Sequence, residues 1–177
     1  MQPFHVSEIK ETHAASPKIP EKTKAFENKT HEVEIARHIP TINEKLEGQK
    51  HPDTEVKFEK HEFKLNGERV EGVFPKFDSK FDAKLPKEMY KTSDTVQFKY
   101  CTERLKEEIA KNPELAKNFS VRQLQQIENC EPRIGGFTWH HNEIPGKMQL
   151  VNADIHAATH HTGGRSIWGG GAEFRKD

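Results

Sequence analysis

The residues of this chain best suited to chemistry lie in "GFTWHHNEIPGKMQLVNADIHAATHHTGG", Gly136 to Gly164. Five of the eleven histidines fall there: His140, His141, His156, His160 and His161. At neutral pH an imidazole offers a lone pair to a divalent ion, and its ordinary pKa near ~6.5 lets it take a proton from water. Neighbouring residues of a strand point to opposite faces, so His140 and His141 are expected to do different jobs. On a helix, His156 and His160 are four apart and share a face. His156 and His161 are five apart, a poorer match to 3.6 residues per turn unless the helix frays. One strand histidine with two helix histidines would make a three-nitrogen metal site. Such a site keeps positions open for water and substrate, which marks a catalytic rather than a structural ion. The remaining strand histidine is then free to act as a general base. The plain alternative is a solvated pair on a hairpin and a chance pair on a helix.

Those residues need a scaffold, and the local sequence supplies one. "FTWHH" and "MQLV" are β-prone and flank the turn "NEIPGK", which predicts a hairpin carrying His140 and His141 on or just after its first strand. Asn152 is a good N-cap for "ADIHAATHH", and Gly163-Gly164 suits the end of that helix. The order is strand, turn, strand, short helix. Trp139 is read as the hairpin's core anchor, with a surface that meets substrate as the alternative. Lys147 and Arg165 flank the site in sequence and are candidate phosphate contacts, or else plain solvated charges.

Further upstream, Val56 and Phe58, then Phe63 and Leu65, alternate with charges around Asn66-Gly67, a strong hairpin signal. "VFPKFDSKFDAKLP" reads as a loop that pins itself to the core through Phe74, Phe77, Phe81 and Leu85. Asp94 with Gln97 resembles a capping box that opens a helix to about Lys111. The expected apolar face is Val96, Tyr100, Leu105 and Ile109, and Asn112-Pro113 stops the helix. Ser120 with Gln123 opens another. Residues 1–50 are charged, with prolines at 3, 17, 20 and 40, and read as an arm or linker. Weak helical spacing in "AFENKTHEVEIARHI" would make one surface helix there, and no chemistry is expected in it. The predicted fold class is α+β: an arm at 1–50, then a domain at 51–177 around a strand–strand–helix core at about 134–164.

Hydrophobic residues are 32% and charged residues 32%, with 28 basic and 28 acidic side chains balancing to a net charge of +0. That neutrality speaks against coating nucleic acid through bulk charge, but not against gripping a few phosphates beside a metal ion. Cys101 and Cys130 are read as two ordinary thiols rather than a bridge. No apolar run approaches the ~20 residues of a membrane span. "MQPFHVSEIKETHAASPKIP" lacks the apolar stretch of a secretory signal, so any export is expected to use another route.

The histidine stretch resembles the signature of the WHH group of HNH/endonuclease VII nucleases, the toxin domains at the C-termini of bacterial polymorphic toxins. The resemblance is close through "RSIWGGG" and weaker upstream through "HPDTEVKF", "VEGVFPKFDSKFDAKLP", "SDTVQFKYC" and "ENCEPRIGG", covering about residues 51 to 171. It implies a ββα-metal fold, metal-dependent DNA cleavage, delivery by a bacterial export system into the cytoplasm of a target cell, and a cognate immunity protein. Carried onto these residues, it implies that His140 is a metal ligand, His141 the general base, and His156 and His161 the helix ligands. His160 stands where relatives are expected to carry another residue. Spacing favours His160 and the resemblance favours His161, and the resemblance is followed. Asn152 stands where relatives often have proline, and either residue can open a helix. Three nitrogens suit Zn²⁺ or Ni²⁺, with Mg²⁺ or Mn²⁺ as candidate working ions. Two alternatives keep the same residues. One is a zinc-stabilised ββα module that binds nucleic acid or protein without cutting, which would have no need of His141. The other is a nuclease acting on RNA.

Overall fold

The computed structural model describes residues 35–175. In chain order the strands are β1 (Arg37–His38), β2 (Lys57–Leu65), β3 (Glu68–Lys76), β4 (Ser79–Lys84), β5 (Phe137–His141) and β6 (Lys147–Asn152). The helices are α1 (Asp94–Lys111), α2 (Val121–Glu128), α3 (Ala153–Thr159) and the single turn α4 (Gly164–Ile167). The strands form two three-stranded sheets, ordered β1-β3-β2 and β4-β6-β5. The fold class is α+β, as expected.

The first sheet is built around the predicted hairpin. Asn66 and Gly67 take φ of 52° and 93°, the left-handed backbone that a two-residue hairpin turn requires. Leu65 pairs with Glu68 across the turn, and the register runs unbroken to Lys57 opposite Lys76. One expectation fails nearby. "VFPKFDSKFDAKLP" is not a loop: it completes β3 and forms β4, leaving Phe77 and Asp78 as the link. Prolines at 75 and 86 disguise it, yet Pro75 sits within β3 opposite Phe58, and Pro86 follows β4. The helix expected in "AFENKTHEVEIARHI" lies mostly outside the described residues. Its described end is extended, with Arg37 and His38 pairing in parallel with Val70 and Glu71.

The second sheet carries the histidines. Phe137 pairs with Asn152 and His141 with Met148, so β5 and β6 make the expected hairpin. One face presents Trp139, Met148 and Leu150 to α1, where they join Leu85, Cys101 and Leu105 in the main core. Met148, Leu150 and Leu105 are fully buried, each worth about 1.5–3 kcal/mol relative to exposure. Trp139 is the core anchor expected of it, and its indole N–H donates to the Thr102 hydroxyl at 3.2 Å. The opposite face presents Val151, clustered with Val56 and Phe77.

α1 begins one residue earlier than the capping-box reading. Ser93 is the N-cap and accepts from the Val96 N–H, and Asp94 is the first helical residue. The phase of the buried face also differs. Gln97, Phe98, Cys101, Thr102 and Leu105 face inward, while Val96 is 48% exposed. Two polar side chains, Gln97 and Thr102, displace the apolar pattern because each bonds a residue of β5. α2 has the predicted capping box: the Ser120 hydroxyl accepts from the Gln123 N–H, and the Gln123 side chain accepts from the Ser120 N–H. Cys101 and Cys130 are both free thiols. Among the described residues no helix is long and apolar enough to cross a membrane.

Candidate active site

Alternation along β5 parts the adjacent histidines. Even-numbered His140 faces α3 and odd-numbered His141 faces α1, and both are almost fully buried. α3 starts where Asn152 caps it by accepting from the Ile155 N–H at 3.0 Å. This helix stops at Thr159, two residues short of the sequence expectation, and Gly163-Gly164 is not its cap. The turn is made by His160, whose φ of 41° reverses the chain. His160 is exposed as a result, and His161 returns toward β5. The 3.6-residue spacing that favoured His160 assumed a helix that has already ended.

Gly163 and Gly164 serve close approach instead. A Cβ on Gly163 would lie 2.8 Å from the His141 carbonyl oxygen. One on Gly164 would overlap the Asn142 carbonyl oxygen and the Trp168 indole. Without a side chain, this segment can press against the end of β5. A second brace comes from the stretch expected to be an idle arm. The Asn43 amide donates to the carbonyls of Thr159 at 3.3 Å and His160 at 2.7 Å, and the Ile42 N–H donates to the Thr162 hydroxyl at 3.0 Å.

The result brings His140, His156 and His161 together, with one nitrogen of each lying within 4.8 Å of the others. His140 Nδ1 is 3.2 Å from His156 Nε2 and 3.3 Å from His161 Nε2. Nitrogens bound at about 2.0–2.1 Å around a tetrahedral ion stand about 3.3 Å apart, so these two edges fit a metal site without adjustment. The donor chemistry agrees. His140 Nδ1 offers one proton or one lone pair to two facing nitrogens, so direct hydrogen bonding satisfies only one of them well. His161 Nδ1 is buried with no hydrogen-bond partner among the described residues. Burial holds His140 well below the usual imidazole range, with the neighbouring His161 and His156 rings adding to it. Burial also lowers His156, and it takes His161 down to about 3 with help from His156 and His160. All three rings are therefore neutral at pH 7, the form that binds a metal. Phe77 walls the cluster, its ring centroid 4.9, 5.4 and 5.1 Å from those of His140, His156 and His161.

His141 has its own support on the other face. Its Nε2 lies 2.6 Å from Gln97 Oε1, and 3.9 Å from Asp94 Oδ1. The Gln97 amide nitrogen donates to the carbonyls of Met89, Tyr90 and Thr92 at 2.7, 3.1 and 3.3 Å. Three acceptors at one end fix the orientation of this buried amide, so its oxygen must face His141. An amide oxygen only accepts, so His141 Nε2 carries the hydrogen and Nδ1 carries the basic lone pair. Phe98 and Trp168 pack on the ring at centroid distances of 5.8 and 5.6 Å.

Arg165 and Lys147, the candidate phosphate contacts, both have carboxylate neighbours. Arg165 lies 3.5 Å from Asp94, and Lys147 3.0 Å from Asp82. Gln97, Phe77 and Asn43 were missed from the sequence. Gln97 sits on the predicted helix beside the expected apolar positions, and Phe77 stands in an aromatic-rich stretch, but nothing local ties either to the histidines.

Neither the curated proteins nor the solved structures include a match to this chain. A family model, that of the DNase/tRNase domain of colicin-like bacteriocins, matches residues 66–163. That span holds β3 through α3, with His140, His141, His156 and His161 inside it. Since the match covers more than half of the 177 residues, the chain belongs to the DNase/tRNase domain family of colicin-like bacteriocins, a family of nuclease toxins.

Proposed function

We propose that this chain is a metal-dependent DNA endonuclease of the HNH type, working as an antibacterial toxin domain. His140, His156 and His161 hold one divalent ion, and His141 is the general base. The observation that carries this reading is the division of labour on β5. Three neutral imidazoles converge on one side, while a fourth is held by an amide in a defined tautomer on the other. A structural zinc module has no use for that second arrangement, so the non-catalytic alternative is disfavoured.

When bound, the ion supplies a Lewis acid that stabilises negative charge on the phosphate and on the departing sugar oxygen. The chain's own residues do the rest. Gln97 accepts from His141 Nε2–H and holds the ring, so Nδ1 takes the proton from the attacking water. Phe77 packs its ring against all three histidines and helps hold them in place. Arg165, 3.5 Å from the Asp94 that neighbours His141, would meet a phosphate beside the base. Lys147, on Asp82, is a weaker candidate for the same task.

Plasmid digestion by the purified chain with Mg²⁺, Mn²⁺, Ni²⁺ or Zn²⁺ tests the reading. Nicking that stops with chelator and returns with metal supports it, and no nicking with any ion sinks it. The family description names tRNase as well as DNase action, so RNA is the second substrate to try, in parallel. A cognate immunity protein and delivery into a target cell follow from the toxin reading. Rescue of expression by a co-produced inhibitor tests the first of these.

A further inference from the structure

Most lysines of the described residues face a carboxylate. Lys50, Lys57, Lys80, Lys106 and Lys117 lie 2.5–3.0 Å from Glu55, Glu59, Asp78, Glu128 and Glu114. One cleft gathers several that do not. It has a volume of about 690 Å³ and runs between the β2–β3 turn and the segment after β4, with Lys64, Lys87 and Lys91 in its lining. None of these three has a carboxylate within 4.0 Å among the described residues, although Glu88 also lines the cleft. Lys91 lies instead over the Phe174 ring, 5.2 Å from its centroid. Lys84 adds a fourth cation at the rim, donating to the carbonyl of Pro145, itself a lining residue. In a chain of zero net charge, three exposed ammonium groups gathered around one carboxylate, Glu88, leave a local excess of positive charge that suits an anion.

The cleft also adjoins the proposed chemistry. Its inner wall is Trp168, whose ring centroid lies 4.7 Å from that of Tyr90, the rings tilted by 56°, and 5.6 Å from that of His141. The Trp168 indole N–H donates to the carbonyl of Asn142, the residue after His141. Tyr90 is half-buried and packs against Gly146 in the β5–β6 turn. A strand whose scissile phosphate sits at His141 would therefore meet these lysines with its neighbouring phosphates.

Resting on the nuclease reading, we propose that this cleft is a phosphate-binding subsite for the nucleic acid strand beyond the bond that is cut. Lys64, Lys87 and Lys91 hold successive backbone phosphates, and Tyr90 offers a ring edge to a base. Such contacts carry no sequence information; they set affinity and register.

The test is equilibrium binding of a short duplex DNA in the presence of chelator, at several salt concentrations. It compares the wild-type chain, the combined variant Lys64→Ala, Lys87→Ala, Lys91→Ala, and a control of equal charge change, Lys50→Ala, Lys57→Ala, Lys117→Ala. Each phosphate contact contributes about 0.9 to the slope of log K against log salt, so the cleft variant should lose about 2.7 of slope and bind about tenfold or more weakly. The control should match the wild type. All six lysines are exposed, and circular dichroism confirms that both variants fold. Equal losses in cleft variant and control, or no loss in either, would overturn the proposal. Unchanged DNA binding with loss of binding to polyglutamate would overturn it too, and give the cleft to an acidic protein. Because chelator stops cleavage, this readout stands apart from the nuclease reading. A cleft effect without cutting under any metal would fail that reading alone, and cutting without a cleft effect would fail this one alone.

Discussion

Replacing Gln97 by leucine keeps a buried side chain of similar size and removes every polar contact it makes. His141 Nε2–H then loses its 2.6 Å acceptor in a place where the ring is only 6% exposed. An unsatisfied buried donor costs about 1–3 kcal/mol, and the carbonyls of Met89, Tyr90 and Thr92, deprived of their donor, should add about the same again. A total loss of about 2–6 kcal/mol fits within most of the 5–15 kcal/mol range typical of a domain, so the variant should remain folded in the cold. General-base catalysis supplies about 10²–10⁴ in rate, which bounds the effect on kcat. Because Phe98 and Trp168 still pack on the ring, part of its orientation should survive. The expected loss is about 10–100-fold in kcat, with little change in metal affinity. Gln97→Glu separates the two effects. It keeps an acceptor for His141 but sets a second oxygen against three carbonyls, so it should lose at least as much stability and less activity. The assay is plasmid nicking alongside urea unfolding, in wild-type and His141→Ala backgrounds. With His141 absent, Gln97→Leu should lower kcat no further. A folded Gln97→Leu variant with wild-type kcat, or one with the same loss in both backgrounds, would refute the reasoning.

Other perturbations test the frame around the site. His161→Ala should weaken metal binding by more than about 100-fold, beyond the usual effect of an outer contact, while His160→Ala should leave it near wild type; calorimetric titration compares them. Gly164→Ala should cost about 3 kcal/mol or more, since its Cβ would overlap the Asn142 carbonyl and the Trp168 indole, and thermal melts would read the loss. Stability without metal should depend on pH through the buried histidines. Their folded pKa values lie below the unfolded value, so their contribution is complete above about pH 6.5 and is lost as pH falls, down to about 3 for His161. Each adds up to about 1.4 kcal/mol per pH unit to the slope. Urea titrations in chelator between pH 7 and 5 measure it, and a flat profile would contradict neutral burial.

The readable parts of this chain were those set by short-range chemistry. Asn66-Gly67 fixed a hairpin because few residues tolerate its backbone, and Ser120 with Gln123 capped α2 because both partners lie within one turn. The strand–turn–strand–helix order around the histidines was legible for the same reason. β4 was not, since its partner β6 lies about seventy residues on and two prolines flank the stretch. The phase of α1 was misread because Gln97 and Thr102 face inward for polar reasons, and a hydrophobic pattern cannot express that. The choice between His160 and His161 turned on where α3 ends. That end depends on Asn43, more than a hundred residues earlier.

The central claim is that His140, His156 and His161 form the metal centre while His141 does the proton transfer. It is tested most directly by measuring ion binding and plasmid cleavage on the same preparations of wild type, His141→Ala, and the combined His140→Ala, His156→Ala, His161→Ala variant. One ion bound by both wild type and His141→Ala, cleavage by wild type alone, and neither activity in the combined variant is the predicted result. Cleavage by His141→Ala at the wild-type rate, or metal-dependent cleavage by the combined variant, would contradict the account.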